Sequence, residues 1–395
     1  MSRQVRGVAA VRTAVIGAGF IGTVHIEALR RIGVQVTGVL ASTPERGVAN
    51  AERLGLPRAY ASLDELLADA QVDAVHVTSP NDLHFAQAAA VLRAGKHVVC
   101  EKPLAMTSAE SAELVELAAT TDRVAAVNFN IRFYPVNQHA RDVVADGTLG
   151  ELRLVTGHYF QDWLLYQTDW NWRLLPERGG ALRAVGDIGS HWLDLVAHVS
   201  GLRVASVMAD LATFVPMHQE PAGPVETFTA SAGETAAREI ATEDVANILL
   251  RFDNGARGSV SISQVSPGRK NSLTYEIDGS AGSLAWDSEQ PDQLWLGHRD
   301  GANEVLIKNP ALMGVHGQAA AALPAGHVEG FADTFAALFR AIYSDIAAGH
   351  RSADPPYATF ADGHHEMLIG DAIAESARTR SWIDVAPAAR RKETA

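Results

Sequence analysis

A single cysteine, Cys100, stands in 395 residues, so no internal disulfide forms and a reducing compartment is expected, the cytoplasm. Its surroundings, HVVCEKP, read as a buried strand. Long apolar runs are missing too: AVIGAGFI is among the longest, far short of the ~20 residues that cross a bilayer. Positive charge is in deficit, with 33 Lys and Arg against 46 Asp and Glu and a net charge of −13. Without clustered cations to displace counterions, nucleic acid is not an expected partner. The N-terminal MSRQVRGVAAVR has neither the apolar core nor the cleavage site of a secretory signal and reads as a short ragged leader. A small metabolite is left as the natural partner.

The length exceeds one ordinary core, and 47% hydrophobic residues suffice for two. Up to about residue 132, nearly all-apolar strands (TAVIGAG, VQVTGVLAS, VDAVHVTSP, HVVCEKP, RVAAVNFN) alternate with amphipathic helices. That alternation predicts a doubly wound α/β domain, a parallel sheet covered on both faces. Thr107 is a plausible N-cap for the helix TSAESAELVELAATT. From 133 to 385 the strands LRLVTGHYFQ, VANILLRF, ARGSVSISQVS, NSLTYEIDGS and GSLAWDS arrive consecutively, with turn signals DNG and GSAG. Consecutive strands predict antiparallel pairing. With one helix from near Asp187 and a long one in GHVEGFADTFAALFRAIYSDIAAG, the second domain reads as α+β. The tail, 386–395, reads as disordered.

VIGAGFIG places Gly17, Gly19 and Gly22 as G-x-G-x-x-G between a strand and a helix, the context in which that spacing binds a dinucleotide. Gly17 makes the turn, Gly19 lets the pyrophosphate approach, and Gly22 lets helix pack on strand; Phe20 and Ile21 belong to the same loop. The second strand ends in LASTPER, without the carboxylate that selects NAD. Ser42, Thr43 and Arg46 could hold a 2′-phosphate, so the cofactor is read as NAD(P), leaning to NADP. In GDIGSHWLD, a helix would set Asp187, His191 and Asp194 on one face, with His198 one turn on. Two carboxylates around an imidazole could form a metal site, a proton-transfer pair or a buried network. Because a nicotinamide already supplies the hydride acceptor, no metal is expected.

Three stretches together, AVIGAGFIG, TSPNDLHFAQAAAVLRAGKHVVCEKPLA and GDIGSHWLD, resemble the family of glucose-fructose oxidoreductase, inositol dehydrogenase and rhizopine catabolism proteins, written Gfo/Idh/MocA. The resemblance runs over nearly the whole chain and implies a Rossmann domain followed by a domain with a large open, mostly antiparallel sheet, whose exposed face makes a homo-oligomer. It implies NAD(P)-dependent oxidation or reduction at a ring carbon of a sugar or cyclitol. It also implies that Lys102 of EKP is catalytic, that Asp187 binds substrate and that His191 transfers the proton. Thr78, Pro80, Asn81 and His84 fall in the cofactor-lining segment, Glu101 beside the nicotinamide ribose, and Trp172 and Arg173 of NWR near the nicotinamide. Two departures stand out: RGGALRAVGD has Arg178 for a glycine and three extra residues before Asp187, and the carboxylate after the second strand is absent.

The chemistry suits these residues. An alcohol proton is weakly acidic, so an ammonium at Lys102 stabilises the developing alkoxide, and an imidazole titrating near neutrality, His191, takes the proton. Pro103 favours an extended Lys102. Among the aromatics of HYFQDWLLYQTDWNWRL, Tyr159 and Trp163 are candidate walls for a sugar ring, with Gln161 as a hydrogen-bonding partner. Arg132 and His327 are further substrate candidates, and GHHEM at 363–367 reads as a solvated helix face. Competing functions are a nicotinamide-dependent glycoside hydrolase, working by transient oxidation and elimination, and a non-catalytic cofactor-binding sensor.

Overall fold

The computed structural model describes residues 7–223 and 233–386, so the expected disordered tail lies outside the described residues apart from residue 386. In the first domain β1 (Arg12–Ile16), α1 (Phe20–Arg31), β2 (Gln35–Leu40), α2 (Pro44–Leu54), β3 (Ala59–Tyr60), α3 (Leu63–Ala68), β4 (Ala74–Val77), α4 (His84–Arg93), β5 (His97–Cys100), α5 (Ser108–Ala119) and β6 (Ala125–Val127) follow one another. The sheet is parallel in the order β3-β2-β1-β4-β5-β6. β4 and β5 are buried at every residue, as helices on both faces require. Thr107 caps α5 in a reciprocal box with Glu110, and Thr43 caps α2. The order reverses between β1 and β4, so the turns after β1, β4 and β5 open into one crevice.

α6 (Pro135–Ala145), β7 (Leu152–Phe160), a short α7 (Pro176–Gly179) and α8 (Ser190–Ser200) lead into the second domain. Its strands are β8 (Val204–Ala212), β9 (Met217–Pro221), β10 (Thr235–Glu239), β11 (Val245–Phe252), β12 (Arg257–Ser263), β13 (Ser272–Gly279), β14 (Ser283–Asp287), β15 (Gln293–Gly297) and β16 (Glu304–Ile307). α9 (Val315–Ala320), α10 (Phe331–Ala348), α11 (Phe360–Thr379) and β17 (Ile383–Asp384) complete the chain. Nine strands form one sheet, β16-β15-β14-β13-β7-β12-β11-β8-β17, while β9 and β10 pair separately. The pairing is antiparallel, as expected for most of the sheet, except between β7 and β12, which run parallel because β12 slots beside a strand from far earlier in the chain. In β11, Ala246, Ile248, Leu250 and Phe252 point inward under α6 and α8, and the intervening residues face outward. Gly157 in β7 allows this cover: a Cβ there would lie 2.6 Å from Trp192 Nε1 of α8 and would overlap the Thr274 carbonyl oxygen.

The chain crosses back over the division at residue 133. α10, expected in the second domain, buries Phe335, Phe339, Ile342 and Tyr343 in one cluster with Val15, Ile26 and Leu29 of the first. Periodicity shows that a helix has an apolar stripe but not which layer the stripe covers. α11 spans the join: a Cβ on Gly363 would sit 2.8 Å from Val127, while Ser376 Oγ accepts from Ala209 N at 3.0 Å. GHHEM, on α11, is not a solvated face, since Glu366 is buried and His364 Nδ1 pairs with Ser111 Oγ at 2.8 Å. Among the described residues no helix is long and apolar enough to cross a membrane.

Candidate active site

The crevice at the carboxyl edge of the parallel sheet begins with the glycine loop. Gly17 has φ +96, a left-handed value suited to glycine, and a Cβ there would lie 2.7 Å from the Thr78 carbonyl oxygen. A Cβ on Gly22 would collide with the Gly17 carbonyl, whereas Gly19 faces open space and caps α1 with no side chain. A backbone approachable at a helix N-terminus is what a pyrophosphate needs, so these residues fit a dinucleotide. Thr78 Oγ1 braces the loop by donating to Ile16 O at 2.8 Å and Gly17 O at 3.1 Å. Phe20 is half exposed and Ile21 partly buried at the start of α1, and Pro80 leads a single 3₁₀ turn. Ser42, Thr43 and Arg46 stand exposed at the end of β2, with Arg46 Nη1 donating to Ser42 Oγ at 3.3 Å.

Asn81 and His84, expected in the cofactor-lining segment, are both buried against backbone carbonyls. Asn81 is buried and donates to Gly179 O at 2.9 Å. His84 is fully buried between two carbonyls, Pro103 O at 2.7 Å and Ser79 O at 2.9 Å, and so ties the turn after β4 to the loop carrying Lys102. Asn81 acts as a brace because a buried carbonyl needs a donor.

Lys102 leaves the end of β5 through a cis peptide to Pro103. Its ammonium reaches the second domain, donating to Asp187 O at 2.5 Å and Asp187 Oδ1 at 3.0 Å. Arg173 Nε lies 3.1 Å from the same Oδ1, and the Arg173 guanidinium stacks over Trp172 at 4.4 Å. Burial would raise the Asp187 carboxyl, but Lys102 and then Arg173 outweigh it and hold the group far below the usual carboxylate range. Asp187 sits in a π-helical turn, Val185–Gly189, rather than at the start of an α-helix. The wider turn breaks the single stripe read from the sequence: Asp187 faces Lys102, while Asp194 and His198 face Arg132.

His191, in the first turn of α8, meets the Phe129 ring edge-on at 5.7 Å and has a buried, unpartnered Nδ1. Burial, then the charge of Lys102, press its pKa down to about 3, where near-neutral titration was expected. The ring is therefore an uncharged proton acceptor at neutral pH. Its dependence on Lys102, Glu101 and Asp187 places the imidazole in the electrostatic reach of all three.

Three residues that sequence reasoning passed over complete the surroundings. Gln264 Nε2 donates to Asp187 Oδ2 at 2.8 Å, so both carboxylate oxygens are held. Asn271 Oδ1 accepts from Tyr159 Oη and from Gln161 Nε2, both at 2.7 Å, and Trp163 Nε1 donates to Gln161 Oε1 at 2.8 Å. Tyr159, Gln161 and Trp163 thus form one connected wall at the end of β7, and the Tyr159 hydroxyl feels the charge of Asp187. Asn171 caps the turn bearing Trp172 and Arg173. Amides carry no motif spacing, and only the pairing of β7, β12 and β13 brings these together.

Arg132 is not a cleft residue. It is buried in a two-pronged pair with Asp194, its Nε at 2.7 Å from Oδ2, and His198 closes the network against Gln138 at 3.0 Å. His327 is exposed, its Nδ1 3.2 Å from Ala325 O and its carbonyl accepting from buried Lys308. None of the cleft side chains is its partner. Among the described residues no cluster of His, Cys, Asp and Glu is disposed to hold a metal ion.

Comparison with known proteins agrees with this geometry. Residues 11–129 match the model of an oxidoreductase family with an NAD-binding Rossmann fold, GFO_IDH_MocA, and residues 137–285 match the GFO/IDH/MocA C-terminal domain. Levoglucosan dehydrogenase of Pseudarthrobacter phenanthrenivorans is 31% identical over 384 residues, covering 94% of this chain and 97% of that protein. The solved structure of levoglucosan dehydrogenase in complex with NADH and levoglucosan superposes with TM-score 0.85 at 28% identity, covering 95% of this chain and all of the other. An inositol dehydrogenase homolog from Azotobacter vinelandii, complexed with NADH and myo-inositol, gives 0.82 at 26% identity, covering 95% and 97%.

Proposed function

Since the chain belongs to the Gfo/Idh/MocA family of oxidoreductases, with an NAD-binding Rossmann domain, we propose that it oxidises a ring carbinol of a sugar, glycoside or cyclitol, or reduces the matching ketone. The observation that carries this reading is the contact between Lys102 of the nucleotide-binding half and Asp187 of the other half, with His191 beside them. When bound, the nicotinamide supplies the hydride-accepting centre. Gly17, Gly19 and Gly22, in the loop braced by Thr78, would hold the dinucleotide, with Trp172 and Arg173 toward the nicotinamide end. Lys102 presents its ammonium to the hydroxyl oxygen and stabilises negative charge as the proton leaves. His191, uncharged, accepts that proton and returns it in the reductive direction. Asp187 is held at both oxygens, which suits it to orient Lys102 and a substrate hydroxyl rather than to act as the base. The Tyr159, Gln161 and Trp163 wall offers an apolar face and amide groups to a polyhydroxylated ring.

A panel of sugars and cyclitols assayed at 340 nm with NAD and NADP tests the reading; net reduction of cofactor is expected. Substrate cleavage without net reduction would instead indicate the hydrolytic use of the same centre.

Two further features belong to this proposal. NAD(H) is the cofactor of the related complexes, and here the Ser42 and Arg46 pair, following a second strand that does not end in a carboxylate, admits the 2′-phosphate of NADP as well. Arg46→Ala is expected to raise KM for NADP about tenfold and leave that for NAD within twofold; equal effects would remove the phosphate role. The outer face of the large sheet exposes Leu154, Met208, Leu249, Val305 and Ile307 and is the surface proposed for homo-oligomerisation. With its one cysteine buried, the protein is proposed to work in the reducing cytoplasm.

A further inference from the structure

Behind the Lys102 loop runs a buried polar chain that the reaction does not touch. Glu101 Oε1 lies 2.9 Å from His25 Nε2 on α1 and 2.5 Å from Asn128 Nδ2, and Glu101 Oε2 accepts from the backbone N–H of Lys102 at 3.2 Å. His25 Nδ1 lies 2.8 Å from His76 Nδ1 on β4, and His76 Nε2 lies 2.9 Å from the Tyr343 hydroxyl on α10. Both histidines and Tyr343 have no exposed surface, and Phe339 of α10 packs edge-on against the two imidazoles, at 4.9 and 4.7 Å.

The chain has a readable direction. A carboxylate only accepts, so His25 must donate from Nε2. With a single proton on His25, Nδ1 accepts, and the Nδ1 to Nδ1 contact is filled by the proton of His76. That leaves His76 Nε2 as an acceptor, which the Tyr343 hydroxyl satisfies. Burial above all holds His76 well below the usual imidazole range, so it stays uncharged. Burial alone would raise Glu101, but the hydrogen bond from His25 and the nearby charges outweigh it and keep the carboxylate form.

We propose that His76 and Tyr343, through His25, are positioning residues: they hold the His25 ring with its Nε2–H on Glu101, and Glu101 holds the Lys102 backbone in place. Each bond sets the proton on the next ring, and Tyr343 ties this setting to α10. Without His76, the His25 ring loses its partner at Nδ1 and is free to turn away from the carboxylate. Glu101 then shifts, and Lys102 with it. This deepens the dehydrogenase reading and rests on it.

The test uses two substitutions that order rate and stability oppositely. His76→Asn puts an amide N–H where Nδ1 stood but packs poorly; His76→Leu fills the core but has no donor. The expected result is a kcat about tenfold below wild type for His76→Leu, within about threefold for His76→Asn, with sugar KM within twofold in both, although His76→Leu has the higher Tm. A His76→Leu enzyme as fast as His76→Asn would overturn the proposal, since packing alone would then explain the pair. Residue-assigned nitrogen-15 spectra of the imidazoles in the wild-type protein read the proton order directly. His25 protonated only at Nε2 and His76 only at Nδ1 support it, and any other pattern overturns it. Those spectra need no turnover, so failure to find a reacting sugar sinks the dehydrogenase reading while leaving the proton order decided on its own.

Discussion

At the residue scale, Asp187 is the hinge of the site, because Lys102, Arg173 and Gln264 all converge on it. Gln264→Leu frees Oδ2 while leaving the two cations, so kcat/KM is expected to fall about tenfold with cofactor affinity unchanged; steady-state kinetics and cofactor titration check this. His191 gives a pH test with a definite sign. Its pKa is about 3 in the folded protein and near the ordinary 6.5 when unfolded. As pH falls through 6.5 the unfolded chain takes up a proton that the native ring refuses, so this contribution is full above pH 6.5 and drains away toward pH 3. Measured against His191→Gln by urea unfolding, wild type is expected to lose roughly 1 to 2 kcal/mol between pH 7 and 5, the lower figure allowing for the ring's partial exposure to the cleft. A pH-independent difference would mean that the ring is not held uncharged.

At the scale of elements, the placement of His191 depends on how closely α8 packs on β7. Gly157→Ala pushes a Cβ into Trp192 and into the backbone of Thr274, two neighbours that have no room to yield. A loss of about 2 to 3 kcal/mol in unfolding free energy is expected, with reduced kcat because α8 carries His191. A variant as stable and active as wild type would show that the helix has slack. The same scale shows what the sequence discloses. The glycine loop and the cap at Thr107 are local, so spacing and residue type reveal them, whereas Lys102 is reached only through the resemblance of EKP to its family. β8 is hidden because VASVMADLA, rich in Ala, Met and Leu, follows α8 after only three residues and reads as more helix. The π-helical turn at Asp187 leaves no periodic signal, and Gln264 and Asn271 acquire roles only through strand pairing over a hundred residues of separation.

For the whole molecule, one row across the nine-stranded sheet faces away from the core: Val305, Trp295, Ala285, Glu276, Thr156, Ser259, Leu249 and Met208, in register. Apolar ends around a polar middle suit a self-complementary contact about a two-fold axis. Leu249→Glu with Val305→Glu is expected to lower the mass seen by light scattering to that of one chain; an unchanged mass would place any interface elsewhere. The domains themselves interlock, since α10 returns to the first sheet and Lys102 reaches into the second domain.

The most direct measurement is single-turnover formation of reduced cofactor at 340 nm, for wild type and Lys102→Ala, on the best substrate of the polyol panel. The expected result is rapid reduction by wild type and a rate lower by two or more orders of magnitude for Lys102→Ala, with cofactor affinity retained. Equal rates in the two proteins, or product released by wild type with no reduced cofactor, would contradict the assignment of Lys102, Asp187 and His191 to carbinol oxidation.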